Sequence, residues 1–394
     1  MLNYKIGHQA PLFVVYSNMK KKVHITILGK EVLPVYYPIE VFSVTEIYVI
    51  GTEENHNGNV YANLENYCKS QGYKIHFVQV EAYNILSTMT ECERIHLMFD
   101  KDDTEFLYNI TGGTKIMAIG AYRVAINNKA SIIYTNSKEY IDLNTYETKH
   151  LSCHLSNEAI FKLQGQELKS YTKLDNSKEH ENIISSRKIR TFIISHYYEY
   201  KELSDHFWQN PIIPDSYQSR SLSYSFIDGQ LQIEKEGEVI LSIYNPNAKD
   251  LLFRGRWWEC LVAEAISNWS KGQYEIWHSV VFKTTNNTNQ FQQYNILDKN
   301  EVDILVNIGN TIVFVECKSG FLTQNEIFKM DYVKKTYGSD KSKSVLITFR
   351  HLNVDLMAKA IESRISVISP KKREQDVLQI IPNKMDRIVN SLTL

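Results

Sequence analysis

Three residues in the C-terminal third have types and spacing suited to phosphodiester chemistry. In EVDILVNIGNTIVFVECKSG, residues 301–320, two apolar runs flank Gly309-Asn310, yet Asp303, Glu316 and Lys318 interrupt them. A hairpin turning between Gly309 and Asn310 sets Asp303 opposite Glu316 and Glu301 opposite Lys318, and the strand period of two puts all four on one face. Directly opposed carboxylates repel unless something positive sits between them. A divalent cation, Mg2+ or Mn2+, removes that conflict, and a lysine two residues on can orient or deprotonate a water and steady a phosphate. The alternative is a salt-bridged surface, with Glu301 on Lys318 and Asp303 exposed beside Glu316. Against it, Ile304, Val306, Ile312, Val313, Phe314 and Val315 make the middle of both strands apolar, as in a buried sheet where charges need partners.

A second stretch is suited to binding phosphate. After the apolar run EFLYNI (105–110) come Thr111, Gly112, Gly113, Thr114 and Lys115, and a helical pattern begins at once. The glycines let the backbone turn and present bare N–H groups, a helix N-terminus adds partial positive charge, and hydroxyls and Lys115 can bond phosphate oxygens. Neither GxxxxGK[ST] nor GxGxxG is present, so ATP and NAD are poor candidates. The plainer reading is a tight turn in which Thr111 or Thr114 caps the helix.

Both stretches need elements to hold them. VHITIL (23–28), EIYVIG (46–51), KIHFVQV (74–80), EFLYNI and ASIIYT (130–135) read as strands. NVYANLENYCKSQG, ILSTMTECERIHLMF and TKIMAIGAYRVAINN read as helices between them. This alternation predicts a doubly wound, mostly parallel sheet with ligands at the carboxyl ends of its strands. From 151 to 250 the pattern changes to a connector. HLSNEAIFKLQGQELKSY and NIISSRKIRTFIISHYYEYKELSDHFWQ read as helices, KLDNSKEHEN (173–182) as a flexible link and IIPDSYQSRSLSYSF as a loop. GQLQIEKEGEVILSIYN reads as a hairpin turning at Glu236-Gly237. In 251–394, GRWWECLVAEAISNW (255–269) has helical spacing with Glu259 at the edge of its apolar face, and YEIWHSVVFKT is a strand. TQNEIFKMDYVKKTYG (323–338) is a helix carrying Lys329, Lys334 and Lys335, which together with PKKRE (370–374) could hold a nucleic-acid backbone or form solvated faces. SVLITF (344–349) is a further strand.

Composition sets bounds on the whole. The chain has 394 residues, 43% hydrophobic and 23% charged, enough for two domains, and its net charge of −1 excludes a uniformly basic nucleic-acid coat. Five widely spaced cysteines form no CxxC or zinc pattern and fit a reducing cytosol. APLFVVY is too short to span a membrane, so a cytoplasmic location is expected. MKKK (19–22) precedes the first strand, which makes residues 1–18 a candidate extension and Met19 a candidate start.

NITGGTKIM, Asn109 to Met117, resembles the signature of CARF domains, the Rossmann-like sensors of CRISPR immune systems. The resemblance covers about 19–150, within an expected first domain of 1–150. It implies that Asn109, Thr111, Gly112, Gly113, Thr114 and Lys115 line a cyclic-oligoadenylate pocket on a dimer dyad, joined by Gly29 and Lys30 after the first strand and Thr52 after the second. Asp303, Glu316 and Lys318 are similarly placed to the core of PD-(D/E)XK nucleases, with Glu259 at the family's additional acidic position and Val302 where a proline is nominal. The pair resembles CRISPR-associated nucleases with an N-terminal CARF and a C-terminal restriction-endonuclease-like α/β domain. The expectations are a homodimer activated by cyclic tetra-adenylate ahead of cyclic hexa-adenylate, and Mn2+- or Mg2+-dependent cleavage of DNA, RNA or both. The rival expectations are a non-catalytic ligand-sensing regulator and a nuclease without an activator.

Overall fold

A computed structural model describes residues 20–136, 139–174, 177–207, 212–283, 301–309, 311–339, 341–371 and 376–391. The candidate start Met19, residues 284–300 and most of PKKRE lie outside them. The chain divides into two compact units, Met1–Leu151 and Ser152–Leu394.

The first unit runs β1 (Lys21–Ile27), α1 (Leu33–Val41), β2 (Glu46–Gly51), α2 (Glu53–Asn57), α3 (Asn59–Ser70), β3 (Lys74–Gln79), α4 (Ile85–Leu97), β4 (Thr104–Asn109) and α5 (Lys115–Asn127), then β5 (Ser131–Thr135), β6 (Glu139–Asp142) and β7 (Glu147–His150). Its sheet has the order β3-β2-β1-β4-β5-β6-β7, parallel from β3 through β5 and antiparallel beyond. Val23, Ile25, Ile27, Ile47, Val49 and Ile50 are buried, as expected of strands covered on both faces. The chain moves outward from β1 through β2 and β3, then crosses to β4 on the other side. The topological switch point is therefore at the carboxyl ends of β1 and β4, where Gly29 and the Thr111–Lys115 turn lie.

Helix α1 is not legible in VLPVYYPIE, because prolines usually argue against a helix. Pro34 occupies the first turn, where no N–H is needed, and Pro38 follows one turn later. Having no N–H, Pro38 leaves the Pro34 carbonyl without a helical donor. Asn109 Nδ2 and Thr135 Oγ1 supply two, each at 3.0 Å.

The second unit begins with α6 (Asn157–Leu163), β8 (Leu168–Lys173), α7 (Ser177–Ser195) and α8 (Tyr197–Phe207), followed by β9 (Ser216–Gln218), β10 (Leu222–Ile227), β11 (Gln230–Lys235) and β12 (Glu238–Tyr244). It continues with α9 (Ala248–Phe253), α10 (Arg256–Ser270), β13 (Glu275–Phe282), β14 (Glu301–Asn307) and β15 (Ile312–Lys318). The last elements are α11 (Gln324–Tyr337), β16 (Lys343–Thr348), α12 (Val354–Glu362), β17 (Ile365–Ile368) and α13 (Val377–Asn390). Strands β9 to β12 form an antiparallel meander. The main sheet has the order β17-β16-β15-β14-β13-β8, parallel across β15 to β17 and antiparallel across the rest.

The expected connector differs in three ways. Its first helix stops at Leu163, and LKSYTK becomes β8, an edge strand paired with β13. The expected flexible link holds the start of α7, where Glu179 and Asn182 are buried. Asn182 accepts from Asn245 and Asn247, both at 3.2 Å, and so fixes α7 to the end of the meander. Residues 216–227, expected as loop, form β9 and β10; only Leu222 and Tyr224 are buried there, so the strand signal is diluted by serines. The Glu236-Gly237 hairpin is present, with both residues at positive φ as a two-residue turn requires.

Candidate functional site

The β14–β15 hairpin has the register expected from its turn: Ile304 faces Val315, Leu305 faces Phe314, and Asn307 faces Ile312. Val306, Val313 and Val315 join the core under α10, where Trp257, Trp258 and Leu261 are buried. One step beyond Ile304, the structure departs from simple opposition. The Asp303 carboxylate itself accepts the Cys317 backbone N–H, at 2.7 Å. Asp303 therefore sits in the fork between the strands, with Glu316 on the neighbouring strand.

Lys318 reaches Glu316 at 2.9 Å and Glu326 at 3.3 Å. Glu326 also accepts the Thr323 N–H, at 2.8 Å, and closes a capping box at the start of α11. The motif reading missed Glu326, although Thr-x-x-Glu before an amphipathic run is a readable cap signal. The salt-bridge alternative pairs Lys318 with Glu301, whereas here Lys318 pairs with Glu316 and Glu326.

Charge is unbalanced at this fork. Burial, then the Glu316 and Glu259 carboxylates, push the Asp303 pKa well above the usual carboxyl range, against Lys318 and the Cys317 N–H. Glu259 projects from the first turn of α10, and burial lifts its pKa to about 7. Arg256 and Lys318 oppose that shift, while Glu301 and Glu316 add to it. Burial pulls the Lys318 ammonium down, but Glu316, Asp303 and Glu326 together outweigh it and hold the lysine protonated. The structure thus brings Asp303, Glu316, Lys318 and Glu259 into one electrostatic neighbourhood.

Gly255 lets α10 start there. At φ 82° it adopts a left-handed conformation, and a Cβ on it would meet Ser319 Oγ at 2.8 Å. Among the described residues, no group of three or more His, Cys, Asp or Glu side chains is assembled as a metal site. Asp303 and Glu316 are two carboxylates that could act as donors for a cation. That fits an ion such as Mg2+, which keeps water and phosphate oxygens as its other ligands.

The basic residues of α11 divide. Lys334 and Lys335 both pair with Asp331, at 3.4 and 2.6 Å, which balances much of the expected phosphate-seeking face. Lys329 bonds the Glu301 carbonyl at 3.3 Å and so borders the fork.

In the first unit, the NITGGTK side chains mostly bond one another. Asn109 is fully buried, and its Oδ1 accepts the Thr111 N–H at 3.2 Å and the Thr111 hydroxyl; Thr111 Oγ1 also accepts the Thr135 N–H at 2.8 Å. Thr114 caps α5 by accepting the Met117 N–H at 3.2 Å, and its hydroxyl donates to the Ala82 carbonyl. The capping reading thus holds for Thr114. Thr52 likewise caps α2 in a reciprocal box with Asn55.

Among the described residues, the groups left unspent are the exposed Lys30 and Lys115 and the glycine backbone. A Cβ on Gly112 would stand 2.0 Å from the Ile27 carbonyl, and one on Gly29 would stand 3.0 Å from the Gly113 nitrogen. Only glycine lets the two loops touch. Thr135 and the Pro34 carbonyl complete this scaffold, and nothing in the sequence pattern pointed to either.

Fold and sites define a two-domain protein, a Rossmann-like sensor with a C-terminal nuclease. Residues 23–164 match the Card1 CARF domain and residues 247–387 match the Card1-like endonuclease domain, so the chain belongs to the Card1-like CARF endonucleases. Among solved structures, Can2 from Sulfobacillus thermosulfidooxidans in complex with cyclic tetra-adenylate aligns with a TM-score of 0.68 at 18% identity, over 94% of this chain and 99% of that one. Protein VC1899 from Vibrio cholerae aligns at 0.69 and 13% identity, over 94% and 98%. A type III CRISPR defence DNA nuclease activated by cyclic oligoadenylate aligns at 0.56 and 12% identity, over 85% of this chain and 46% of that one. At these identities the likeness concerns the fold. Comparison with curated proteins found no match. Among the described residues, no helix is long and apolar enough to cross a membrane.

Proposed function

We propose that the chain is a metal-dependent endonuclease of type III CRISPR antiviral defence, working as a homodimer in the cytoplasm. In this reading it cuts DNA, RNA or both with little sequence preference when a cyclic oligoadenylate, cyclic tetra-adenylate ahead of hexa-adenylate, occupies its CARF unit. The observation that carries the proposal is the β14–β15 fork in the middle of the sheet, where Asp303, Glu316 and Glu259 share one electrostatic neighbourhood with Lys318. A folding-only site would not keep that excess of buried negative charge.

Asp303 and Glu316 would hold Mg2+ or Mn2+, which when bound supplies concentrated positive charge against the charge developing on a phosphate. Lys318, kept protonated by its neighbours, suits holding a non-bridging phosphate oxygen better than removing a proton from water. Glu259 changes protonation state near neutrality and is the group suited to moving a proton there. Partial burial of Asp303 and Lys318 and burial of Glu316 strengthen these interactions.

In the first unit, the switch-point crevice offers backbone N–H groups, the N-terminus of α5, Lys30 and Lys115 to phosphates. A twofold-symmetric cyclic nucleotide suits a twofold dimer, which presents the same donors twice. Activation then requires the ligand to bind the cutting-competent arrangement more tightly than the resting one. The fold shared with Can2, described in complex with cyclic tetra-adenylate, supports that ring size.

The test is cleavage of supercoiled plasmid and of single-stranded DNA and RNA with Mn2+, with and without each cyclic oligoadenylate, for wild type and Glu316→Ala. Cleavage only by wild type with an activator is expected. Full cleavage by the variant would sink the catalytic assignment. Cleavage indifferent to both ring sizes would favour an unregulated nuclease, and no cleavage by wild type would favour a regulator.

A further inference from the structure

A groove of about 640 Å³ lies beside the fork, walled by Ile193, Tyr197, Trp258 and Phe349 and edged by Arg350 and His351. Short links tie it to the catalytic candidates. Trp258 immediately precedes Glu259, and the Phe349 N–H donates to the Lys318 carbonyl at 2.8 Å. Phe349 packs edge-on against Trp257 and Trp258, with ring centroids 5.0 and 5.4 Å apart, so this wall is part of the core that fixes α10.

Arg350 is the unusual member. Its guanidinium lies 5.1 Å from the ring centroid of Phe321 and 5.5 Å from that of Tyr197, held between two aromatic rings. Among the described residues Arg350 forms no ion pair, whereas Arg190 in the same groove is matched by Asp376 at 2.9 Å. Phe321 follows Lys318 by three residues and is 77% exposed, a large apolar ring left in water next to the site of chemistry. A guanidinium close to two aromatic rings and without an ion pair among the described residues is suited to a phosphate, and an exposed ring beside it to the face of a base.

We propose that this groove is a nucleotide subsite for the strand being cut, in which Arg350 takes a backbone phosphate and Phe321 stacks an adjacent base. The inference rests on the nuclease reading of the fork and adds residues to it. The groove falls within the range of about 300–1,000 Å³ typical of ligand clefts, enough for a nucleotide. Its apolar wall and its cations serve the two halves of such a ligand, and stacking tolerates any base. Tyr197 belongs to α8, so the subsite includes part of the segment that precedes residues 247–387, the stretch that matches the endonuclease family.

The experiment uses the full-length chain with Glu316→Gln to stop cutting, in Mn2+ and cyclic tetra-adenylate, titrated into short DNA and RNA strands containing 2-aminopurine. The parent should quench 2-aminopurine in both. Phe321→Ala should lose the quench and bind about tenfold more weakly. Arg350→Ala should bind about tenfold more weakly and lower the salt slope by about one, while Arg350→Lys keeps the slope and loses part of the affinity. Phe321 is outside the core, so its variant separates subsite loss from misfolding. In the cutting-competent background both alanine variants should raise KM more than they lower kcat. Unchanged quench and affinity in Phe321→Ala, or unchanged affinity and salt slope in Arg350→Ala, would overturn the subsite. A wild type that quenches normally but never cuts would instead overturn the nuclease reading and leave the subsite standing.

Discussion

The two sites solve opposite problems. In the sensor loop, Asn109, Thr111, Thr114 and Thr135 bond one another, the Pro34 carbonyl or the backbone, so their polar groups are satisfied before a ligand arrives. In the nuclease fork, Asp303, Glu316 and Glu259 face Lys318 and Arg256, and Lys318 is drawn on by Glu326 as well, so the carboxylates remain in conflict. Under the proposed reading, a binding surface made largely of backbone N–H groups must be rigid, and the side chains of NITGGTK would supply that rigidity. A site that concentrates a cation must be left short of positive charge.

The largest effect should come from removing that shortage. Asp303→Asn or Glu316→Ala should lower activated cleavage by about a thousandfold or more while leaving activator binding intact, read by initial rates and calorimetry. Chelating the metal from wild type should do the same. Loss of activator binding in the fork variants would break the separation between the two sites.

Next is rigidity. Gly112→Ala drives a Cβ into the Ile27 carbonyl and should weaken activator binding about a hundredfold or destabilise the first unit by several kcal/mol, resolved by calorimetry and a melting curve. Asn109→Ala should cost about 1–3 kcal/mol, because it strips the Thr111 N–H of its acceptor and removes one of the two donors to the Pro34 carbonyl. Wild-type affinity in both would mean that the loop is not the binding surface.

A smaller effect follows from the raised Glu259 pKa. A carboxyl whose folded pKa is about 7, above its ordinary 4.5, adds stability that is complete below pH 4.5 and lost as pH rises through 7. Metal-free Glu259→Gln should therefore be the more stable protein at pH 8, by about 2 kcal/mol, with the advantage gone near pH 4. A constant difference across pH would contradict the charge conflict. The least effect is expected at Lys335→Ala, about 0.5 kcal/mol or less, since its partner Asp331 keeps Lys334.

Much of this architecture was legible. The Gly309-Asn310 turn and the period of two fixed the hairpin register, and the βα alternation fixed the first sheet. The fork was not legible, because Asp303 captures the Cys317 N–H only where two strands separate, and no alternation pattern records where a ladder ends. β8 and β10 are half-exposed strands rich in lysine and serine, and their sheet partners lie far along the chain or in equally polar sequence. Helix α1 was hidden by its prolines; the Pro34 carbonyl, which Pro38 leaves without a helical donor, accepts from Asn109 instead.

The central claim is that a carboxylate fork works on the command of a ligand bound in the other unit. It is tested most directly by following cleavage of one labelled strand in Mn2+ and adding cyclic tetra-adenylate to the same sample midway. The account predicts a near-silent baseline followed by a rise in rate that Glu316→Ala lacks. A baseline already at full rate, or a rise that survives Glu316→Ala, would contradict it.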